Sequence, residues 1–244
     1  MFTPDANYVP GDYMVMESYN EVKLSHIVEH KTIGVEDGSI YVAPGATGDG
    51  SKENPMSVYE AVKFVRPGQT IILKEGVYGE PTPLKIEREI DGTAEKKIYM
   101  IADPEAKTRP VFNFGGFCTG ITLGGDYWVL RGFDVTRSAD GQKGLQISGN
   151  YNLVDSVNTY YNGNTGIQIS RYSGTDLFED WPKYNTILNC TSYGNADAGY
   201  EDADGFAAKL TVGEGNVFDG CIAHHNADDG WDLFAKVQIG PIGS

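Results

Sequence analysis

From Gly120 onward, short runs of alternating apolar and polar residues restart after a glycine: GITLG (120–124), GLQIS (144–148), GIQIS (166–170), GFAAK (205–209) and GWDLF (230–234). Offsets one and three from each glycine are apolar: Ile121/Leu123, Leu145/Ile147, Ile167/Ile169, Phe206/Ala208 and Trp231/Leu233. Offset two is Thr122, Gln146, Gln168, Ala207 and Asp232. Successive residues of a strand point to opposite faces. The odd offsets, Trp231 and Leu233 included, are therefore expected inside, and the even ones in solvent.

The starting glycines are 24, 22, 39 and 25 residues apart, and the long interval holds an insertion, RYSGTDLFEDWPKY (171–184). A second strand recurs in each unit: WVLRGFDV, YNLVDSV, NTILNCTS and NVFDGCIA. Two or three short strands per unit at this period predict a parallel β-helix, in which each turn covers its neighbour. Upstream, SIYVAPGATGDGSKENP reads as a strand and a glycine-rich loop. Asn54-Pro55 offers helix-start chemistry, and Ser57 with Glu60 forms a candidate capping box. Val58, Ala61, Val62 and Val65 fall at helical spacing, Pro67-Gly68 stops the helix, and QTIILKEGVY follows as a strand.

The expected organisation is a leader or the end of a preceding domain over 1–38, then an all-β parallel β-helix over 39–244. It carries an N-terminal capping helix and is incomplete at its C-terminus, where KVQIGPIGS stops in mid-pattern. A fragment is expected.

One corner of the repeat also aligns. Asn162, Asn195 and Asn226 share a position, with Asp140 expected in the coil before. Stacked asparagines can bond from coil to coil. The same register stacks Cys190 on Cys221. A coil spacing of about 4.8 Å permits a disulfide, and two buried free thiols are the preferred reading. His224 and His225 read as surface or packing residues.

Composition narrows the function. With 34 acidic against 19 basic residues and a net charge of −15, the chain has no basic patch for nucleic acid. No apolar run reaches the roughly 18 residues of a membrane span. Three cysteines form neither a disulfide framework nor a CxxC site, and MFTPDANYVP lacks a signal-peptide layout.

The chemistry lies in DADGFAAK (202–209) and HHNADDGWDLFAK (224–236). Asp204 precedes Gly205 as Asp229 precedes Gly230, so the two are stacked equivalents on adjacent coils. Asp228 flanks them, and Asp232 projects outward two residues past its glycine. At about 5 Å and an effective dielectric near 20, each like-charge pair costs roughly 3 kcal/mol. Protonation or a divalent cation must relieve this, and all-oxygen donors favour a hard ion, calcium before magnesium. A lone Asp-Asp-Gly is usually a solvated turn; the recurrence of Asp204 at the stacked position sets this one apart. Lys209 and Lys236 share the outward face of Asp232 and could bind an anion or simply be solvated.

These paired motifs resemble polysaccharide lyase family 9, the pectate lyases and exopolygalacturonate lyases, and IYVAPGATGDGSKENP with its helix and PGQTIILKEGVY is similar to that family's capped start. The resemblance spans about residues 38–243. It implies a right-handed parallel β-helix, secretion or cell-surface display, and Asp204, Asp228, Asp229 and Asp232 as primary Ca2+ ligands. It also implies a polygalacturonate substrate, a monomeric complete protein, and a catalytic-base lysine on a coil beyond residue 244. In such β-elimination the C5 proton leaves and the O4-linked sugar is expelled, with calcium stabilising the enolate-like charge. Calcium would also let an acidic protein hold a polyanion. A lysine of depressed pKa near a cation would be the base, and a fragment lacking it is expected to be nearly inactive.

Two rivals remain. A polygalacturonase-like hydrolase would use aspartate pairs around a water, but its expected Gly-His-Gly and Arg-x-Lys elements are absent. A non-catalytic, calcium-stabilised β-helix that binds glycans is the other.

Overall fold

Strands of two to five residues bury too little to stand alone. Each becomes stable only where the next coil satisfies its backbone and covers its side chains. In the computed structural model, which describes residues 34–35, 37–79 and 81–235, the result is a parallel β-helix walled by three parallel sheets. The expected leader up to residue 33, and Lys236, lie outside the described residues. The first sheet runs Ser39–Val42, Thr70–Leu73, Ile98–Ala102, Trp128–Arg131, Leu153–Asp155, Thr186–Leu188 and Val217–Asp219. The second, built on the glycine-led runs, stacks Leu84–Ile86, Ile121–Leu123, Leu145–Ile147, Ile167–Ile169, Phe206–Ala208 and Trp231–Asp232. The third comprises Val77–Tyr78, Val111–Asn113, Asp134–Thr136, Asn158–Tyr160, Thr191–Tyr193 and Ile222–His224.

The second-sheet register pairs Leu145 with Ile121 and Ile167, and Ile147 with Leu123 and Ile169. These odd offsets are fully buried, as the alternation requires. Trp231 stacks on Phe206 at 4.6 Å, yet stays 39% exposed because no described coil covers it. Leu233 departs from expectation. The strand ends at Asp232, and Leu233 is 61% exposed.

The even row also departs from it. Gln168 is only 5% exposed and Ala207 is fully buried. Gln168 Nε2 bonds Ser170 Oγ at 3.1 Å, and the insertion that follows folds back over the sheet's outer face. Arg171 O accepts from Gln146 Nε2 at 3.0 Å, while the Tyr172 hydroxyl reaches Glu87. Strand alternation sets direction, but burial depends on what crosses the outside.

The repeating glycines have a packing cause. A Cβ on Gly144 would sit 2.6 Å from Asn162 Nδ2 and 2.8 Å from Gly166 O. One on Gly205 would meet Asn226 Nδ2 at 2.7 Å and Gly230 O at 2.8 Å. The corner asparagine and the next coil's backbone fill that space. The asparagine ladder forms as expected: Asn162 donates through its backbone N and Nδ2 to Asn195 Oδ1, and Asn195 likewise to Asn226 Oδ1. Asp140 is not its fourth rung. Pairing of Asp134 with Asn158 sets Ser138 opposite Asn162, and Ser138 N donates to Asn162 Oδ1; Asp140 instead accepts from Ala198 N at 2.7 Å.

The helix Val58–Phe64 is capped by Ser57, whose side chain accepts from Tyr59 N at 3.2 Å. The capping box does not close, because Glu60 pairs with Lys63 at 2.7 Å. Val58, Ala61, Val62 and Val65 are buried and close one end of the core. Cys190 and Cys221 are free thiols. No helix among the described residues is long and apolar enough to cross a membrane.

Candidate metal centre

Pairing of Phe206 with Trp231 brings the residues before the two glycines into line, and Gly205 N donates to Asp229 O at 2.9 Å. Asp204 thus lies directly beneath Asp229. Asp228 is drawn onto the same corner by its backbone N, which donates to Ala203 O at 3.3 Å. Asp204, Asp228 and Asp229 each present an oxygen, and these three atoms lie within 4.8 Å of one another.

The three carboxylates differ in setting. Asp228 and Asp229 are exposed, whereas Asp204 is fully buried. Asp204 Oδ2 accepts from Thr165 Oγ1 at 3.0 Å and from Lys209 Nζ at 2.7 Å. Its Oδ1 is buried and takes no hydrogen bond among the described residues. A buried carboxylate oxygen left in this way carries an unmet desolvation cost. Partial desolvation, and after it the Asp204 and Asp229 charges, raise the Asp228 carboxyl above its ordinary value, with Lys209 opposing.

Asp232 stands apart from the trio. It pairs with Lys209 Nζ at 3.0 Å and accepts from Phe234 N at 3.1 Å. Lys209 therefore bridges Asp204 and Asp232. Its partial burial works to lower its pKa, but hydrogen bonds to both carboxylates outweigh that and leave it raised. Lys209 is held as an ammonium. His224 stacks on Tyr193 at 4.9 Å and His225 contacts His224, so both act in packing and on the surface. All donors of the trio are carboxylate oxygens, the set a hard divalent cation takes, and the orphaned Asp204 Oδ1 fits such an ion.

Sequence reasoning missed Thr165 and Lys143, although both precede repeat glycines, Gly166 and Gly144, as Asp204 precedes Gly205. It also missed the cluster made by the insertion: Arg88 pairs with Asp176, and Tyr172 lies under both Lys85, at 4.9 Å, and Arg88, at 4.7 Å.

Residues 40–242 match the family described as "Pel9A-like, right handed beta helix region". The chain is 46% identical to "Pectate lyase L" of Thermoclostridium stercorarium over 97% of its length, which is 19% of that protein. It is 40% identical to "Pectate lyase L" of Paenibacillus polymyxa (strain SC2), over 85% of this chain and 47% of that one. The chain thus spans less than half the length of these relatives. Among solved structures, that of pectate lyase Pel9A superposes with a TM-score of 0.69 at 32% identity, covering 81% of this chain and 50% of the other.

Proposed function

Because this chain belongs to the Pel9A-like right-handed β-helix family, we propose that it is part of a calcium-dependent pectate lyase, with Asp204, Asp228 and Asp229 as the core of its calcium site. The observation that carries this reading is that Asp204, fully buried and with its Oδ1 unpartnered among the described residues, lies in one cluster with the carboxylates of Asp228 and Asp229. Calcium held by these residues would supply a Lewis acid for the negative charge that develops on a uronate carboxylate when its C5 proton leaves.

The chain's own residues do the positioning. Asp204 is fixed by Thr165 and Lys209, while Asp228 and Asp229 stay open to solvent on the side from which a polysaccharide would arrive. Asp232, which pairs with Lys209 at 3.0 Å, would be the fourth ligand in this proposal. Lys209, a retained ammonium, is suited to attract a uronate carboxylate and unsuited to remove a proton. The proton-abstracting lysine is assigned to none of the described residues, and Lys236 is kept as a second substrate-binding lysine. The protein is proposed to act outside the cell on polygalacturonate, as a monomer.

Calcium titration should show about one site, abolished in Asp204→Asn and Asp229→Asn. Polygalacturonate treated with the full protein should yield an ultraviolet-absorbing unsaturated product only when calcium is present. New reducing ends without that absorbance would mean hydrolysis and overturn the lyase reading.

A further inference from the structure

The residues before the repeat glycines form one continuous backbone ladder. Gly120 N donates to Lys143 O at 3.0 Å, Gly144 N to Thr165 O at 3.1 Å, Gly166 N to Asp204 O at 2.9 Å and Gly205 N to Asp229 O at 2.9 Å. Lys143 therefore occupies on its coil the place that Asp204 and Asp229 hold on theirs. Two coils separate it from Asp204, about 10 Å at the usual strand spacing. Thr165 fills the step between them, with Oγ1 3.0 Å from Asp204 Oδ2 and 3.2 Å from Asp202 O. The cation and the acidic corner belong to one row.

Three other described cations near this face are engaged. Lys209 holds Asp204 and Asp232, Lys85 holds Glu87 at 3.1 Å, and Arg88 holds Asp176. Lys143 is half-buried, and among the described residues it has no hydrogen-bond or ion-pair partner through its side chain. Burial, with the positive charge of Lys209 second, lowers its pKa, while Asp202 opposes this from beyond ion-pair distance. A solvated surface lysine would extend into water. This one gives up hydration without gaining an ion-pair partner among the described residues, a cost that an arriving anion relieves.

We propose that Lys143 is a second carboxylate-binding point, engaging the uronate of a sugar near the one held at the acidic corner. The inference rests on the uronan reading above. A polyuronate carries a carboxylate on every sugar, so a chain anchored at the corner brings others past neighbouring coils. A lysine, acting as a point charge on a flexible stem, suits an anion whose orientation varies from sugar to sugar.

The test is calorimetric titration of hexagalacturonate, with calcium present, into the full chain and its Lys143→Met and Lys143→Arg variants. Lys143→Met should weaken binding by about tenfold, Lys143→Arg should stay close to wild type, and calcium affinity without sugar should be unchanged in both. Should the methionine variant fold poorly, Lys143→Gln carries the same expectation. Equal hexamer affinity in wild type and Lys143→Met would overturn the role of Lys143 and leave the uronan reading standing. No hexamer binding by the wild type would overturn both. Loss of calcium affinity in Lys143→Met would make the residue a support of the metal corner and overturn its part in sugar binding.

Discussion

Among the described residues, buried Asp204 shares one oxygen between Thr165 and Lys209 and leaves the other unmet, so its charge is balanced there by one cation 2.7 Å away. Removing one partner of a buried ion pair strands the other charge, at a cost of about 3–5 kcal/mol. Lys209→Ala should therefore lower stability by that order in calcium-free buffer. Calcium should then restore more stability to the variant than it adds to the wild type, since the ion replaces the lost cation by mass action. Thermal melts with calcium and with chelator measure this, and an identical calcium effect in both proteins would contradict it. The raised pKa of Lys209 has a defined sign. Its contribution is complete below the ordinary lysine value of 10.5 and fades only as the pH rises through the higher folded value.

The insertion 171–184 is the one long excursion between the glycine-led runs, and side-chain contacts tie it down. Arg88 meets the almost fully buried Asp176, Ser173 N donates to Asp176 Oδ2 at 2.8 Å, and Tyr172 lies against Lys85 and Arg88. Burial pushes the Asp176 pKa up, but the Arg88 and Ser173 hydrogen bonds prevail and leave it below its ordinary 3.8. A depressed carboxylate stabilises above its unfolded pKa and loses that contribution as the pH falls through the folded value. The insertion should thus loosen in acid before the coils do. Amide protection factors across 171–184, taken relative to intrinsic exchange at each pH, should fall as the pH drops below the ordinary aspartate value of 3.8, and Asp176→Asn should show the low protection already at neutral pH. Exchange indifferent to both changes would rule out this anchor.

Across the molecule, each coil rests on its neighbours, and the rows of inward side chains are the shared core. Ile147 is fully buried between Leu123 and Ile169, so Ile147→Ala should cost about 2–5 kcal/mol. Leu233 was expected in the same inward set. Its exposure removes most of that penalty, and Leu233→Ala should cost well under half as much. Urea unfolding of the two variants decides the matter, and equal losses would mean that Leu233 is packed after all. Buried polar groups complete the interior, with Thr159 Oγ1 donating to Ser192 Oγ at 2.8 Å and Ser192 Oγ to Gly205 O at 2.7 Å.

Much of this was legible in the amino-acid order, because a parallel β-helix writes its register into the period. Gly144, Gly166 and Gly205 with their alternating followers located one sheet, and Asn162, Asn195 and Asn226 located a corner. The step from Asp204 to Asp229 located the acidic centre. A second ladder, from Asn152 through Asn185 to Asn216, was equally present in the spacing and went unread. Local sequence determines which side chains share a row, since strand alternation and coil length act on neighbours alone. It does not determine what lies across a row from outside. The folding of 171–184 over the second sheet, the burial of Gln168 and the pairing of Lys209 with both Asp204 and Asp232 arise from contacts between distant segments. So does the lack of an ion-pair partner for Lys143 among the described residues. Only the tertiary structure decides which charge is met and which is left open, because desolvation and pairing depend on the atoms that close around a group rather than on its place in the chain.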